Sequence, residues 1–323
     1  MGVFANLRMR LSSASADETT RLAVAHAVQV ADPRMALVGS HERKLAPVVG
    51  KALDYCRDLV ETIPGPVEIN AQTFGSDPLV HAIFATPADI GRMLGSSAEL
   101  ARFCTSAEAD GAEAVYALIG MRRREKMVLS PALKGDMIQV DVPRRLLYFA
   151  DHTLHEPSPE LDLTRLRLRD AAFDSLVRSF AARLQAQRAE REDLRSEWEQ
   201  ERALSHFGSE AEIAAHEQRR LELEQRLRES VAAMEPAHVL DALIGWLEAP
   251  QSSLRLDEVK VTIDPLGTVV VDGTEAGNAH TLSLPVLVGR DRRRWVVLMT
   301  RIPREEARSA RHEAEAFKRT LTI

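Results

Sequence analysis

Residues 173–234 read FDSLVRSFAARLQAQRAEREDLRSEWEQERALSHFGSEAEIAAHEQRRLELEQRLRESVAAM. Phe173, Val177, Phe180, Leu184, Gln187, Arg191, Leu194 and Trp198 recur at alternating steps of four and three. That is the 3.5-residue repeat by which one helix keeps a seam facing another. Gly208 then stands where a helix end needs a left-handed residue. Ser209 with Glu212 three places on has the form of a capping box. Ile213, His216, Arg220, Leu223, Leu227, Ser230 and Met234 resume the alternation. So short a connection makes the two helices antiparallel.

The pattern predicts a coiled-coil-like helical hairpin from about Leu163 to Pro250, apolar at its base and polar along its outer seam. Pro236 marks a kink or restart, and Leu240, Leu243, Ile244, Trp246 and Leu247 form an apolar return. Limbs of roughly forty residues, at 1.5 Å per residue, reach about 60 Å. The second limb then ends near the start of the first, so the hairpin can be inserted without parting the strands on either side.

Upstream, Asp17 to Ala31 reads as a helix that Asp32-Pro33 ends. Leu45, Val48, Val49, Ala52, Leu53, Cys56, Leu59, Val60 and Ile63 form one apolar helical stripe, with Pro47 expected in the first turn. Short helices follow. Ser76 or Asp77 caps one beginning at Pro78. Thr86-Pro87-Ala88-Asp89 begins another, which Gly95 is expected to close, and Ser96 with Glu99 would cap the next. From Ala114, four short apolar runs (114–120, 127–130, 137–142 and 146–150) predict an antiparallel meander. Its turns would lie at the Arg-rich stretches and at Lys134-Gly135-Asp136.

Downstream, Val259, Val261 and Ile263 alternate, Asp264 to Gly267 turns, and residues 268–271 return, ending at Asp272-Gly273. Residues 281–288 and 295–302 form a second hairpin around Gly289 to Arg292, with Pro285 suggesting an edge strand or a bulge. A last helix from about Pro303 to Leu321 has the stripe Ala307, Ala310, Ala314, Phe317 and Leu321.

The expected class is therefore α+β: antiparallel strand meanders with packed helices and an inserted helical hairpin. The expected domains are 1–160 (helices and strands), 161–250 (the hairpin arm) and 251–323 (strand hairpins and the terminal helix, packed with 1–160 as one body). The chain has 323 residues, 45% hydrophobic and 28% charged, which suits a sizeable core. A net charge of -6 gives no global basic excess of the kind nucleic-acid binding calls for. Cys56 and Cys104 form no Cys-x-x-Cys pair, so a reducing, cytoplasmic compartment is expected. The N-terminal stretch has arginines without a continuous apolar core, unlike a secretory signal. No apolar run reaches the ~20 residues of a membrane span.

Three groups of residues are candidate sites. Asp151, His152, His155 and Glu156 cluster after a strand and carry ligand types for zinc or another divalent ion, the basis for a metal-dependent enzyme. Arg122, Arg123, Arg124, Arg292, Arg293 and Arg294, with Arg144 and Arg145, would make an anion-binding rim if their turns met, since guanidinium forks match phosphates. Trp198, Leu204, Phe207 and Ile213 lie near the hairpin tip, where exposed large side chains would anchor a partner. No phosphate loop, dinucleotide fingerprint or nucleophile elbow occurs, the polar loop around Gly273 and Gly277 needs only turn chemistry, and the identity of any cofactor is left unknown by the sequence. The reading that follows is a non-catalytic interaction or assembly protein. Residues 185–230 would hold a protein partner or a second copy, with the metal enzyme and the phosphate or nucleic-acid binder as alternatives.

Overall fold

The computed structural model describes residues 15–134, 137–270 and 279–321. The N-terminal stretch, the turns expected at Lys134-Gly135-Asp136 and Asp272-Gly273, and Gly277 lie wholly or partly outside them. The elements in chain order are α1 (Ala16–Ala31), α2 (His41–Glu61), β1 (Val67–Glu68), α3 (Ala71–Ser76), α4 (Pro78–Ile83), α5 (Pro87–Ser96), α6 (Ala98–Cys104) and β2 (Ala114–Lys134). They continue with β3 (Met137–Ser158), α7 (Leu161–Leu204), α8 (Glu210–Ala233), α9 (Pro236–Glu248), β4 (Leu254–Ile263), β5 (His280–Gly289), β6 (Arg294–Pro303) and α10 (Arg304–Leu321). The protein is α+β, with one sheet and a long antiparallel helical pair. Its contacts divide it into two compact units, Met1–Cys56 with Asp170–Ser253, and Arg57–Arg169 with Leu254–Ile323.

The first unit is helical. In α1, Ala23, Val24, Ala27, Val28 and Ala31 are buried, and the helix stops at Asp32 as its sequence predicts. In α2 every residue of the expected stripe in this unit, from Leu45 to Cys56, is buried. Pro47 is not in the first turn but at the seventh residue, because the helix begins earlier, with Lys44 N–H bonding back to Ser40. The proline ring there forgoes one helical hydrogen bond, the one that would reach Arg43.

The α7–α8 seam also follows its sequence. Phe173, Val177, Phe180, Leu184, Leu194, Leu223 and Met234 are buried, and the polar seam residues Gln187, Arg191, His216 and Arg220 are half-buried. Among the contacts that cross between the helices, His216 Nδ1 lies 2.7 Å from Glu201 Oε2, and the Arg226 guanidinium lies 3.9 Å from the Glu190 carboxylate. Gly208 takes φ +118° in the turn, and Ser209 with Glu212 makes the expected capping box. Pro236 opens α9 at its first turn, where a missing N–H is tolerated. In α9, Trp246 packs edge-on against Phe180 at 5.7 Å, and its indole N–H donates to the Leu176 carbonyl at 3.1 Å.

The second unit is a six-stranded sheet ordered β3-β2-β6-β5-β4, with β1 parallel to β6. The meander of four short strands is instead two long ones, β2 and β3, paired from Tyr116–Ser158 out to Lys134–Met137. The apolar runs break because β2 leaves the body of the sheet. β6 pairs with β2 only as far as Met121; beyond it β2 pairs with β3 and carries charged side chains on both faces, while Phe149 and Leu147 of β3 remain in the core. Arg122 to Arg124 and Arg144-Arg145 are thus mid-strand, not turns. Three register shifts interrupt the ladder, and a non-glycine residue with positive φ lies at each: Asp141, Asp151 and Glu156. These are β-bulges, which bend a strand and re-aim its side chains.

One face of the sheet carries the core. Val115, Ala117, Ile119 and Met121 of β2, Val296, Leu298 and Ile302 of β6, and Leu282, Leu284 and Val286 of β5 pack with Ile83, Phe84, Ile90, Leu94, Leu100 and Phe103 of α4 to α6. Pro285 lies within β5, between β4 and β6. It is accommodated because β5–β6 pairing covers only Val286 to Val288. The return expected after Gly267 is a short bridge. Residues 267–270 bond to β3 (Leu147 N–H to Gly267, Val269 N–H to Arg145) and to β4 (Val270 N–H to Thr262), so they tie the outer strands together. Gly95 does not close α5, which runs to Ser96; Ser97, not Ser96, caps α6. The Gly95 backbone lies against α10.

Candidate functional site

The turn of the helical hairpin exposes its large apolar side chains. Phe207 is 74% exposed, Leu204 48% and Ile213 36%. Trp198 differs from them. It is half-buried on the seam, with the Arg202 guanidinium 5.5 Å from its ring. Its indole N–H is buried and has no acceptor among the described residues. Trp198 also lines a groove of about 650 Å³ between α7 and α8, floored by Leu227 and Val231 and rimmed by Arg191, Arg195, Glu224 and Arg228. Sequence periodicity places Leu227 on the seam but gives no sign of the groove, because Val231 lies off the repeat.

Asp151, His152 and His155 of the four metal-ligand candidates meet separate partners. The bulge at Asp151 turns His152 inward, where Nε2 donates to the Ile83 carbonyl at 2.8 Å and the ring stacks on Phe84 at 4.8 Å. Burial holds its pKa below the ordinary histidine value, against the pull of that hydrogen bond. Asp151 stands 3.6 and 3.7 Å from Arg122 and Arg124. His155 lies 3.6 Å from Glu99, whose other oxygen accepts the Glu156 N–H at 3.0 Å. Burial opposes ionisation of Glu99, yet these two donors hold its pKa below the usual range. Glu99 is therefore a tether between α6 and β3, a role its helix position does not reveal. Among the described residues no group of three or more His, Cys, Asp and Glu side chains is placed to hold a metal ion.

The arginine clusters are divided by the pleat. Arg123 and Arg145 share Glu125 on one face, whereas Arg122 and Arg124 share Asp151 on the other. Arg292 to Arg294 do sit at a turn, where Arg293 meets Asp291 and Arg294 approaches Asp257. Arg122 lies beside the strand that follows this turn, its guanidinium 4.9 Å from the Trp295 ring.

The sheet unit also holds a crevice of about 530 Å³ between α3–α4 and the tied strand edges, lined by His81, Phe84, Tyr148, Asp264 and His280 among others. Its acids are committed to backbone. Asp77 accepts from Leu79 and Val80 N–H, and Asp264 from Leu266 and Thr268 N–H. Cys56 is buried and Cys104 half-buried, and neither is in a disulfide. Among the described residues no helix is long and apolar enough to cross a membrane. Comparison with protein-family models, with curated proteins and with solved structures finds no match.

Proposed function

We propose that the protein is a non-catalytic interaction or assembly protein of the cytoplasm, and that its coiled-coil hairpin, residues 185–230, docks a protein partner or a second copy of the chain. The observation that carries this is the exposure of Phe207, with Leu204 and Ile213 around the same turn. A turn that only joined two helices would need no large apolar side chains. Covering one such side chain fully contributes about 1.5–3 kcal/mol. The neighbouring groove adds an aromatic lining residue, Trp198, whose indole N–H has no acceptor among the described residues, a combination suited to an interface anchor. The polar seam fits the same role, since charged residues at seam positions select register and partner at the expense of pair stability.

The second copy is the occupant to test first. Light scattering after size exclusion should give a concentration-dependent oligomer for the native chain and a monomer for the Leu204→Asp, Phe207→Asp variant. Removing residues 195–222 and closing the gap with a glycine linker should likewise give a folded monomer. A native chain that is monomeric throughout removes self-association. The partner form of the proposal then stands or falls on a photo-crosslinker placed at Phe207 in cells: failure to capture one protein reproducibly there would end it.

A further inference from the structure

The sheet unit carries a second surface, built without any residue of the hairpin. Past Met121, its last residue paired with β6, β2 continues outward paired with β3, whose far edge bonds residues 267–270. Arg122, Arg124 and Lys126 occupy every second position there. They share one face and, at the strand rise, stand about 7 Å apart. The residues opposite them on the same face are Ala150, Tyr148 and Leu146, and one further pair along, Arg144 faces Val128. Trp295 completes the row on β6, beside Arg122.

Cations and aromatic rings therefore alternate along this face. Arg122 lies 4.9 Å from the Trp295 ring, and the Lys126 ammonium 5.7 Å from the Tyr148 ring. Tyr148 and Arg124 are exposed, and Arg122 and Trp295 are half-buried. Glu125 lies on the opposite face, with Arg123 and Arg145. Asp151 is the acid that approaches this row, at 3.6 and 3.7 Å from Arg122 and Arg124, outside hydrogen-bond range. Asp141 stands further out, at the next bulge. Among the described residues, one carboxylate approaches Arg122, Arg124, Lys126 and Arg144, which leaves the face basic although the chain as a whole carries a net charge of -6.

We infer that this face binds single-stranded nucleic acid without strong sequence preference. Phosphates would follow the column of Arg122, Arg124 and Lys126, whose spacing suits an extended strand, while bases would stack on Tyr148 and Trp295. The rings decide between this partner and other polyanions. An acidic peptide or an anionic membrane would use the cations and leave the rings without a role. A base has the flat π-face that pairs with both a ring and a guanidinium plane.

The full chain and a fluorescein-labelled oligothymidylate of about twenty nucleotides make the test, read by anisotropy. Binding at 50 mM salt should weaken with a log–log slope of about -2 to -3, as for three or four neutralised phosphates on a single strand. Arg124→Glu with Lys126→Glu should weaken it at least tenfold. Tyr148→Ala should weaken it severalfold for the oligonucleotide while leaving affinity for inorganic polyphosphate unchanged. If the charge-reversed chain fails to fold, the Tyr148 comparison and the salt slope still decide. The inference is overturned if nothing binds at 50 mM salt. It is overturned equally if polyphosphate or anionic lipid vesicles bind as tightly as the oligonucleotide and Tyr148→Ala changes nothing. Leu204→Asp with Phe207→Asp should leave this binding intact, which separates the surface from the hairpin proposal.

Discussion

Gly95 backs onto the main chain of Ala310: a Cβ at Gly95 would stand 2.7 Å from the Ala310 carbonyl oxygen and 2.9 Å from the Ala314 Cβ. The α5–α10 contact, with Ala307 and Ala310 buried, is thus made by backbone meeting backbone. Neither a cap nor a turn requires this glycine; the closeness of two helices does.

The consequence can be measured. Alanine is about 1 kcal/mol better than glycine inside a helix, but at Gly95 it would have to displace the main chain of α10. Overpacking of that kind costs about 1–3 kcal/mol, so Gly95→Ala should destabilise in urea titration. Gly91, in the same helix, has nothing within 4 Å of its would-be Cβ. Gly91→Ala should therefore stabilise by up to about 1 kcal/mol. A gain from both substitutions would contradict the packing described for α5 and α10.

Asp32 is the second test. It is 3% exposed, and its carboxylate accepts from the Arg34 side chain and backbone N–H and, at 2.6 Å, from Arg188 of α7. The hydrogen bonds from Arg34 hold its pKa below the ordinary carboxylate value, outweighing burial. A depressed carboxylate contributes stability that is present above its unfolded pKa, near 4, and is lost as pH falls below it. Asp32→Asn removes that contribution and leaves two guanidinium groups without their acceptor charge. Both arginines reach solvent, so the loss should be about 1–3 kcal/mol at pH 7, smaller than for a fully buried pair. It should shrink toward pH 3, and a loss that stays constant with pH would refute the assignment.

His152 titrates in the other direction. Its folded pKa is lowered by burial, so the unfolded chain binds a proton that the folded chain resists. The folded state is then fully favoured above about pH 6.5, and stability falls as pH drops from there toward the lowered folded value. His152→Gln can keep a donor to the Ile83 carbonyl without the ionisation. The native chain should lose more thermal stability than this variant between pH 7 and pH 5. Identical pH profiles would mean that the imidazole is not held neutral by its surroundings.

Much of this could be read in the chain. The four-three spacing from Phe173 to Met234 gives the hairpin, the stripe from Leu45 gives α2, and Thr86-Pro87-Ala88-Asp89 gives the start of α5. In each, the signal is local and the period is that of the element itself. What escaped depends on residues distant in sequence. Arg122 to Arg124 look like a turn because charge usually marks one, but here charge marks where β2 passes beyond β6. Ser96 and Glu99 have the spacing of a capping box, yet Ser97 makes the cap and Glu99 bonds β3 across 57 residues of chain. Of the tip residues, Leu204, Phe207 and Ile213 lie exposed as expected. Trp198 lies on the seam, as its place in the repeat predicts, but nothing in that repeat shows that its N–H would have no acceptor among the described residues.

The bridge at residues 267–270 has one more consequence. Around Leu147 and Thr262, hydrogen-bonding groups that another polypeptide could have seized are already occupied by the protein's own main chain. A misfolded neighbour has no template at those positions from which to grow a fibril, so local resistance to cross-β growth is written into the loop itself.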